Sequence, residues 1–408
     1  MKRNMVLIAM LVLVFGSFTA VWAAKPIKVG APLSLTGPYA GDGLGYLRGI
    51  EMAVDELNQQ GGLLGKSLEI VKFDTQDFSP ERVMQAADQL VRKERVAAIH
   101  AGWAGWGQDV RAYGKYDVPT FVWDASINAV AVYRENPERY FNWFMLNATE
   151  KGAGLATTTF LEAIDFSYPN KKIALITTDD SWGLEIGKGI KEGAEKRDWE
   201  IALSEVVPYG TREWGPILTK IRAIQPAFIH LEIVSSPDLI TFFRQFLKDP
   251  TPSIVSFGYG GTLPDFLPNL GQEANGLIME SIMIPEPAPT PESAAWVERF
   301  RQRYEAEPAA GSFAVYTGVM IWAEALRQVG KIDDYEAINK YLDEHKFKTL
   351  EGRYVWFDDD HKIPNTVWPV NWIQIQNGKM VTLFLTGDTL DELTPYMDFK
   401  FQTPPWIK

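Results

Sequence analysis

Through the first 260 residues, apolar and polar positions alternate between two periods. Short runs rich in β-branched residues read as strands: IKVGAPL (Ile27 to Leu33), LEIVKFD (Leu68 to Asp74), VAAIHAG (Val96 to Gly102) and VPTFVWD (Val118 to Asp124). Between them the period lengthens to that of a helix. In GIEMAVDEL, Ile50, Ala53, Val54 and Leu57 share one helical face. In SPERVMQAADQLVRK, Ser79 reads as the N-cap, Pro80 as the first helical residue, and Val83, Ala86, Ala87 and Leu90 as the buried stripe. The theme restarts near Lys171. KKIALITTDD, EIALSEVVPY, AFIHLEI and SIVSFGYG are expected strands, with helices at Gly183 to Arg197, Glu213 to Ile224 and Asp238 to Leu247. Strands alternating with helices predict parallel sheets covered by helices, an α/β chain. After Ile284, PEPAPTPESAAW reads as a connector opening a helix, followed by a long helix from Phe313 to Val329. The segment GRYVWFDDDHKIPNTVWPVNWIQIQNGK alternates and turns like antiparallel strands. Two α/β halves with returning segments imply lobes linked by several crossings, and a cleft between lobes is the default ligand site.

The beginning of the chain belongs outside this pattern. Lys2 and Arg3 precede an apolar run from Met5 to Phe18, and VWA ending at Ala23 presents small residues, so residues 1–23 are expected to be a cleaved signal peptide directing the chain to the periplasm. The uninterrupted apolar core is too short to span a bilayer comfortably. The chain has no cysteine, so it has no thiol for a lipid anchor, a disulfide, a nucleophile or a thiolate metal site. Its net charge of −12 disfavours nucleic acid and anionic membranes as partners, and its 408 residues are too many for one compact core.

Few residues suggest catalysis or metal binding. GDGLGYLRG (Gly41 to Gly49) sits between a strand and a helix but lacks the third glycine of a dinucleotide loop and the GKS/GKT of a P-loop. It is expected to be a turn or a loop passing close to a ligand. The four histidines, His100, His230, His345 and His361, show no paired spacing for zinc, and His100 is expected to be a hydrogen-bonded residue at a strand end. No GxSxG elbow supports a hydrolase. Asp358, Asp359 and Asp360 read as a solvated turn rather than a calcium loop. No cofactor, metal site or catalytic residue is expected. Asp179 and Asp180 follow a strand, where they could meet a ligand or cap the next helix. Trp103 and Trp106, in IHAGWAGWGQDV, also follow a strand, and Trp182 does so in the second half. Core packing is their competing use, yet the surrounding glycines supply little packing volume.

LTGPYAGDG, GIEMAVDELNQQGG, GKSLEIVKFDTQD leading to Pro80, DDSWG, and the hairpin from FDDD to IQIQNGK occur in an order that resembles the leucine/isoleucine/valine-binding family of branched-chain amino acid ABC importer substrate-binding proteins. The resemblance covers nearly the whole chain beyond residue 23. It implies a type I periplasmic binding protein fold: two Rossmann-like lobes joined by three crossovers. It also implies a non-enzymatic monomer that closes on a small solute and delivers it to an ABC permease and ATPase complex. The expected lobes are 24–146 plus 284–356, and 147–283 plus 357–408, with hinges near Phe144 to Asn147, Met283 to Pro285 and Trp356 to Asp358.

Carried onto this chain, the family's ligand-carboxylate serine/threonine run falls at Ala104, Gly105, Trp106 and Gly107, so those hydroxyls are absent. The next strand's contact residues fall at Asp124, Ala125 and Ser126, and a first-loop aromatic falls at Asp42. Trp182 and Gly183 stand for a tyrosine-glycine pair. The acid that meets the ligand ammonium falls at Gly260, beside Tyr259. A buried charge without a partner is costly, which counts against leucine-type ligands. Asp124 and Glu232 could form a new acidic focus, and indoles near acids suit a cationic or quaternary-ammonium solute. A flat aromatic solute on Trp103, Trp106 or Trp182 is the competitor, as is an amino acid held by backbone amides. A periplasmic sensor subunit serving a receptor kinase or chemoreceptor, and a hydrolase on the same scaffold, are the other functional classes.

Overall fold

A computed structural model describes residues 25–37, 39–281, 284–364, 370–386 and 392–408. The expected signal segment and the Met283 hinge position lie outside these residues. The first half runs β1 (Ile27–Leu33), α1 (Ala40–Gln59), β2 (Leu68–Asp74), α2 (Pro80–Ala87), β3 (Ala98–Ala101), α3 (Gln108–Tyr113), β4 (Thr120–Val122), α4 (Ile127–Glu135) and β5 (Trp143–Met145). Its five strands are all parallel, in the order β2-β1-β3-β4-β5. The second half runs α5 (Glu150–Thr157), α6 (Phe160–Ala163), β6 (Lys172–Thr178), α7 (Ser181–Lys196), β7 (Glu200–Val207), α8 (Gly215–Ile224), β8 (Phe228–Glu232), α9 (Ser236–Phe246), β9 (Ile254–Phe257), α10 (Phe266–Leu270) and β10 (Ile278–Ser281). Strands β6 to β10 are parallel in the order β7-β6-β8-β9-β10, the same winding repeated.

The chain then returns to the first lobe with α11 (Pro291–Tyr304), α12 (Ala310–Val329), α13 (Tyr335–Glu344), β11 (Phe347–Lys348) and β12 (Tyr354–Val355). It ends on the second sheet with β13 (Asn371–Gln376), β14 (Lys379–Thr386) and β15 (Leu393–Pro395), all antiparallel additions. The predicted α1 stripe, Ile50, Ala53, Val54 and Leu57, is buried against α12 and shares a core with Tyr316, Val319, Trp322 and Leu326. Each large side chain so buried contributes roughly 1.5–3 kcal/mol. Helix α12 is apolar on most of its surface because it lies between α1 and the sheet.

Three expectations change, and a fourth, the Ser79 cap, holds in position only. GDGLGYLRG is the first half of α1, not a loop, and its glycines serve close packing. A Cβ on Gly43 or Gly49 would stand 1.9 Å from Ser34 O or 2.0 Å from Ser312 O. Ser79 occupies the N-cap of α2, but its side chain makes no capping bond. His100 is buried within β3, stacked on Phe121 at 4.9 Å, and neither ring nitrogen has a hydrogen-bond partner among the described residues. Burial pushes its pKa down to about 3, so it is held neutral. The third crossing also falls later than Trp356 to Asp358. Phe357 and Ile363 pack in the first-lobe core, and Ile363 N–H donates to Met145 O at 3.1 Å, so the chain leaves that lobe only beyond Ile363. The acidic run there is a turn closed by ion pairs: Lys362 to Asp358 at 2.5 Å, and Arg134 gripping Asp360 through two bonds of 2.6 Å.

Candidate functional site

In an open doubly wound sheet, a crevice forms beyond the carboxyl ends of the strands, where the winding direction reverses. Both sheets reverse once, between β1 and β3 and between β6 and β8, and the two crevices face each other. The residues just past the strand ends converge there. Trp103 follows β3, Trp123 and Asp124 follow β4, and Asn147 follows β5. From the other lobe come Asp180 and Trp182 after β6, Tyr209 after β7, Glu232 at the end of β8, Tyr259 after β9 and Glu280 in β10. They enclose a cavity of about 330 Å³.

Tyr259 is the centre of an aromatic cage. Its ring lies 5.8 Å from Trp103 and 6.4 Å from Trp123 in the first lobe, and 6.3 Å from Trp182 in its own lobe. Its hydroxyl donates to Asp42 Oδ1 at 2.5 Å, across the lobe boundary. Burial raises the Asp42 pKa while this bond acts to lower it. Tyr39 meets Trp103 edge-on at 5.5 Å. Trp106 stands at the rim, 37% exposed, edge-on to Phe78 at 6.1 Å. Gly105, Trp106 and Gly107 all have positive φ, and a bulky residue there is uncommon and strained. The segment is braced from below: Gly107 N–H and Trp143 Nε1–H donate to the two carboxylate oxygens of buried Asp109, at 2.9 and 2.6 Å.

Glu232 organises the second wall. Trp182 Nε1–H and Tyr259 N–H donate to its Oε1 at 3.0 and 3.1 Å, and His230 Nε2 lies 3.4 Å from Oε2. Gly258 makes this possible, because a Cβ there would stand 1.9 Å from Glu232 Oε2. Asp180 takes the capping role, accepting from Gly183 N–H at 2.7 Å to start α7, and it also lines the cavity. Asp124 is 4% exposed. Its Oδ1 accepts from Ala125 N–H at 2.9 Å, and its Oδ2 has no partner among the described residues. Burial, then the nearby charges of Asp109 and Glu150, raise its pKa well above the carboxylate range. Glu280 accepts from Thr157 Oγ1 at 2.6 Å, and burial pushes its pKa to about 8.

Of the residues expected at the site, Trp103, Trp106, Asp124, Ala125, Trp182, Glu232 and Tyr259 line the cavity. Asp42 stands behind Tyr259 as its hydrogen-bond partner. Ala104, Gly105 and Ser126 lie outside the lining, and Ser126 instead caps α4 by accepting from Ala129 N–H at 3.1 Å. Sequence reading missed Tyr39, Trp123, Asn147, Tyr209 and Glu280. Trp123 stands at the end of the expected strand VPTFVWD, so the strand-end rule that selected Trp103 and Trp182 would also have found it, whereas Glu280 lies in a strand, β10, that the apolar pattern did not single out. Tyr209 ends the expected strand EIALSEVVPY and carries the same signal, whereas Tyr39, an aromatic in a turn, does not.

Two wound lobes with a solute-sized cavity between their strand ends define a two-lobed α/β binding protein. Residues 26–379 match the family described as periplasmic binding protein, and the chain belongs to it. The family is one of solute-binding proteins rather than enzymes. A relative in Brucella suis, Leu/Ile/Val-binding protein homolog 7, is 26% identical, with 96% of this chain and 99% of the relative aligned. A putative branched-chain amino acid ABC transporter from Silicibacter pomeroyi has a similar structure, with TM-score 0.83, 27% identity, and coverage of 94% of this chain and 100% of that one. The isoleucine complex of LivJ, the branched-chain amino acid transporter substrate-binding protein of Streptococcus pneumoniae, shares the fold at TM-score 0.74 and 20% identity, covering 88% and 99%. These likenesses establish the type I periplasmic binding protein fold that the sequence motifs implied. No helix among the described residues is long and apolar enough to cross a membrane.

Proposed function

We propose that this protein captures a small amino-acid-like, aromatic or cationic solute in the periplasm and presents it, enclosed, to the permease and ATPase of an ABC importer. The observation that carries this reading is a cavity whose walls come from both lobes, with Tyr259 of one lobe seated against Trp103 and Trp123 of the other. A solute touching both walls interacts fully only with the closed arrangement, so binding drives closure and closure signals occupancy. Two further bonds support a closed state: Tyr259 to Asp42, and Asn128 Nδ2–H to Ser181 Oγ at 3.1 Å. The hinges of such a motion lie where the chain changes lobes, near Phe144 to Asn147, after Ser281 and beyond Ile363. Among the described residues the lobes are then 25–146 with 284–364, and 147–281 with 370–408.

Native mass spectrometry of the protein purified from its periplasm tests this reading. One bound solute per chain is expected, lost on unfolding and regained on refolding with the extract. Trp182→Ala should weaken rebinding at least tenfold with little change in melting temperature. Turnover of the solute, or a chain that neither carries nor regains any, would overturn the proposal.

A further inference from the structure

The charge of the cavity is one-sided. Four carboxylates line it, Asp124, Asp180, Glu232 and Glu280, and no lysine, arginine or histidine does so among the described residues. Two of the four are occupied by the protein: Asp180 caps α7, and Glu232 holds the Trp182 indole N–H and the Tyr259 backbone. Because the Trp182 N–H already has its acceptor, the indole offers the solute its face. The Tyr259 hydroxyl is likewise given to Asp42. Facing the solute are aromatic surface, the amide of Asn147 with its Oδ1 unpaired, and the carboxylates of Asp124, whose buried Oδ2 makes no hydrogen bond of ordinary geometry among the described residues, and Glu280.

Resting on the solute-binding reading above, we propose that the cavity takes a small organic ammonium ion. Its nitrogen faces the carboxylates of Asp124 and Glu280, and its apolar part lies against Trp103, Trp182 and Tyr259. An anionic solute would enter an enclosed acidic space with no positive side chain to meet it, and a neutral one would bring no charge to balance the carboxylates buried there. A cation answers both conditions, and aromatic faces attract it through their quadrupoles. The same chemistry admits a protonated amine, which can donate to Asp124, or a quaternary ammonium, which binds by charge and ring contact alone.

Calorimetric titration near pH 8 with phenethylammonium, choline, 3,3-dimethylbutanol (the neutral isostere of choline), benzoate and leucine separates these cases. At least one cation should bind at least 30-fold more tightly than the alcohol and benzoate. A preference for phenethylammonium identifies an amine site, and a preference for choline a quaternary one. Asp124→Asn and Glu280→Gln should each weaken cation binding at least tenfold while leaving the melting temperature unchanged or higher.

Should either variant fail to fold, the wild-type protein supplies a second reading. Asp124 faces Asp109 of α3 and Glu150 of α5, and Glu280 faces Glu232 of β8 and Thr157 of α5, so the charges that act most on both are acidic. A cation must therefore displace a proton, and its affinity should tighten from about pH 6 to about pH 8 with measurable proton release. Tighter binding of benzoate or leucine than of either cation, unchanged affinity in both variants, or no proton release would overturn the ammonium proposal and leave the solute-binding reading intact. If no probe binds, the solute recovered by mass spectrometry decides: a cation supports the proposal, a neutral or anionic solute overturns it, and no solute overturns both.

Discussion

At the scale of single residues, the site depends on side chains that hold one another. Tyr259 illustrates this: one ring touches three indoles, and one hydroxyl crosses to Asp42. Tyr259→Phe keeps the ring and deletes the crossing bond. A hydrogen bond to a carboxylate contributes about 1.5–3 kcal/mol, so we expect solute to leave this variant roughly 10- to 100-fold faster, since each ~1.4 kcal/mol is a factor of ten. Stopped-flow tryptophan fluorescence would read this directly, and an unchanged release rate would show that the bond does not hold the closed state. Trp103 and Trp182 were legible because a residue past a strand end in an α/β chain tends to face the crevice, and Asp124 because the family resemblance carried a contact position onto it. Ser126 and Asp180 show the limit of that rule. Both are polar residues past strand ends, and only the folded backbone distinguishes the cap that is buried away from the cavity from the cap that also lines it.

At the scale of elements, strand and helix positions followed from periodicity, as IKVGAPL and LEIVKFD show residue for residue. The misreading of Gly41 to Gly49 has a physical cause. Four glycines in nine residues lower helix propensity by about 1 kcal/mol each, so local preference argues for a loop. Tertiary contact reverses it, because only a helix without side chains at Gly43 and Gly49 can approach Ser34 and Ser312 so closely. Gly49→Ala tests this account. Propensity alone predicts stabilisation by about 1 kcal/mol, whereas the clash with Ser312 O predicts destabilisation of about 1–3 kcal/mol as in overpacked cores. A lower urea midpoint with an unchanged slope is the expected result. Gly258, beside Glu232 Oε2, serves a similar purpose for the site rather than the core.

At the scale of the whole molecule, buried titratable groups shape the response to pH. Burial raises Asp109 to about 6, Glu150 to about 7 and Glu280 to about 8, so the folded chain binds more protons than the unfolded one between those values and the ordinary carboxylate range. Their contribution to stability is present at low pH and is lost as pH rises through the folded values. His100 has the opposite sign. Its pKa of about 3 lies below the unfolded 6.5, so stability is lost as pH falls from 6.5 toward 3. The melting temperature should therefore rise from about pH 8.5 down to about pH 5, because below pH 6.5 His100 offsets only one of the three raised carboxyls. Glu150→Gln, which can still accept from Ile127 N–H, should flatten the upper limb. A melting temperature that climbs steadily with pH would refute this balance.

The sequence by itself determined the α/β class, the doubled winding, the order of elements and the strand-end position of most cavity residues. Those features follow from the period of apolar positions and from turn chemistry, which act over a few residues at a time. Only the tertiary structure decided that Glu280 faces the same cavity as Trp123 and Asp124, that Asp42 serves Tyr259, that Ala104, Gly105 and Ser126 stand aside, and that the chain leaves the first lobe beyond Ile363. Such facts depend on which segments far apart in the chain come within a few ångströms. A run of Asp358 to Asp360 or a glycine-rich stretch reads the same until Arg134, Lys362 or Ser312 arrives from elsewhere in the chain.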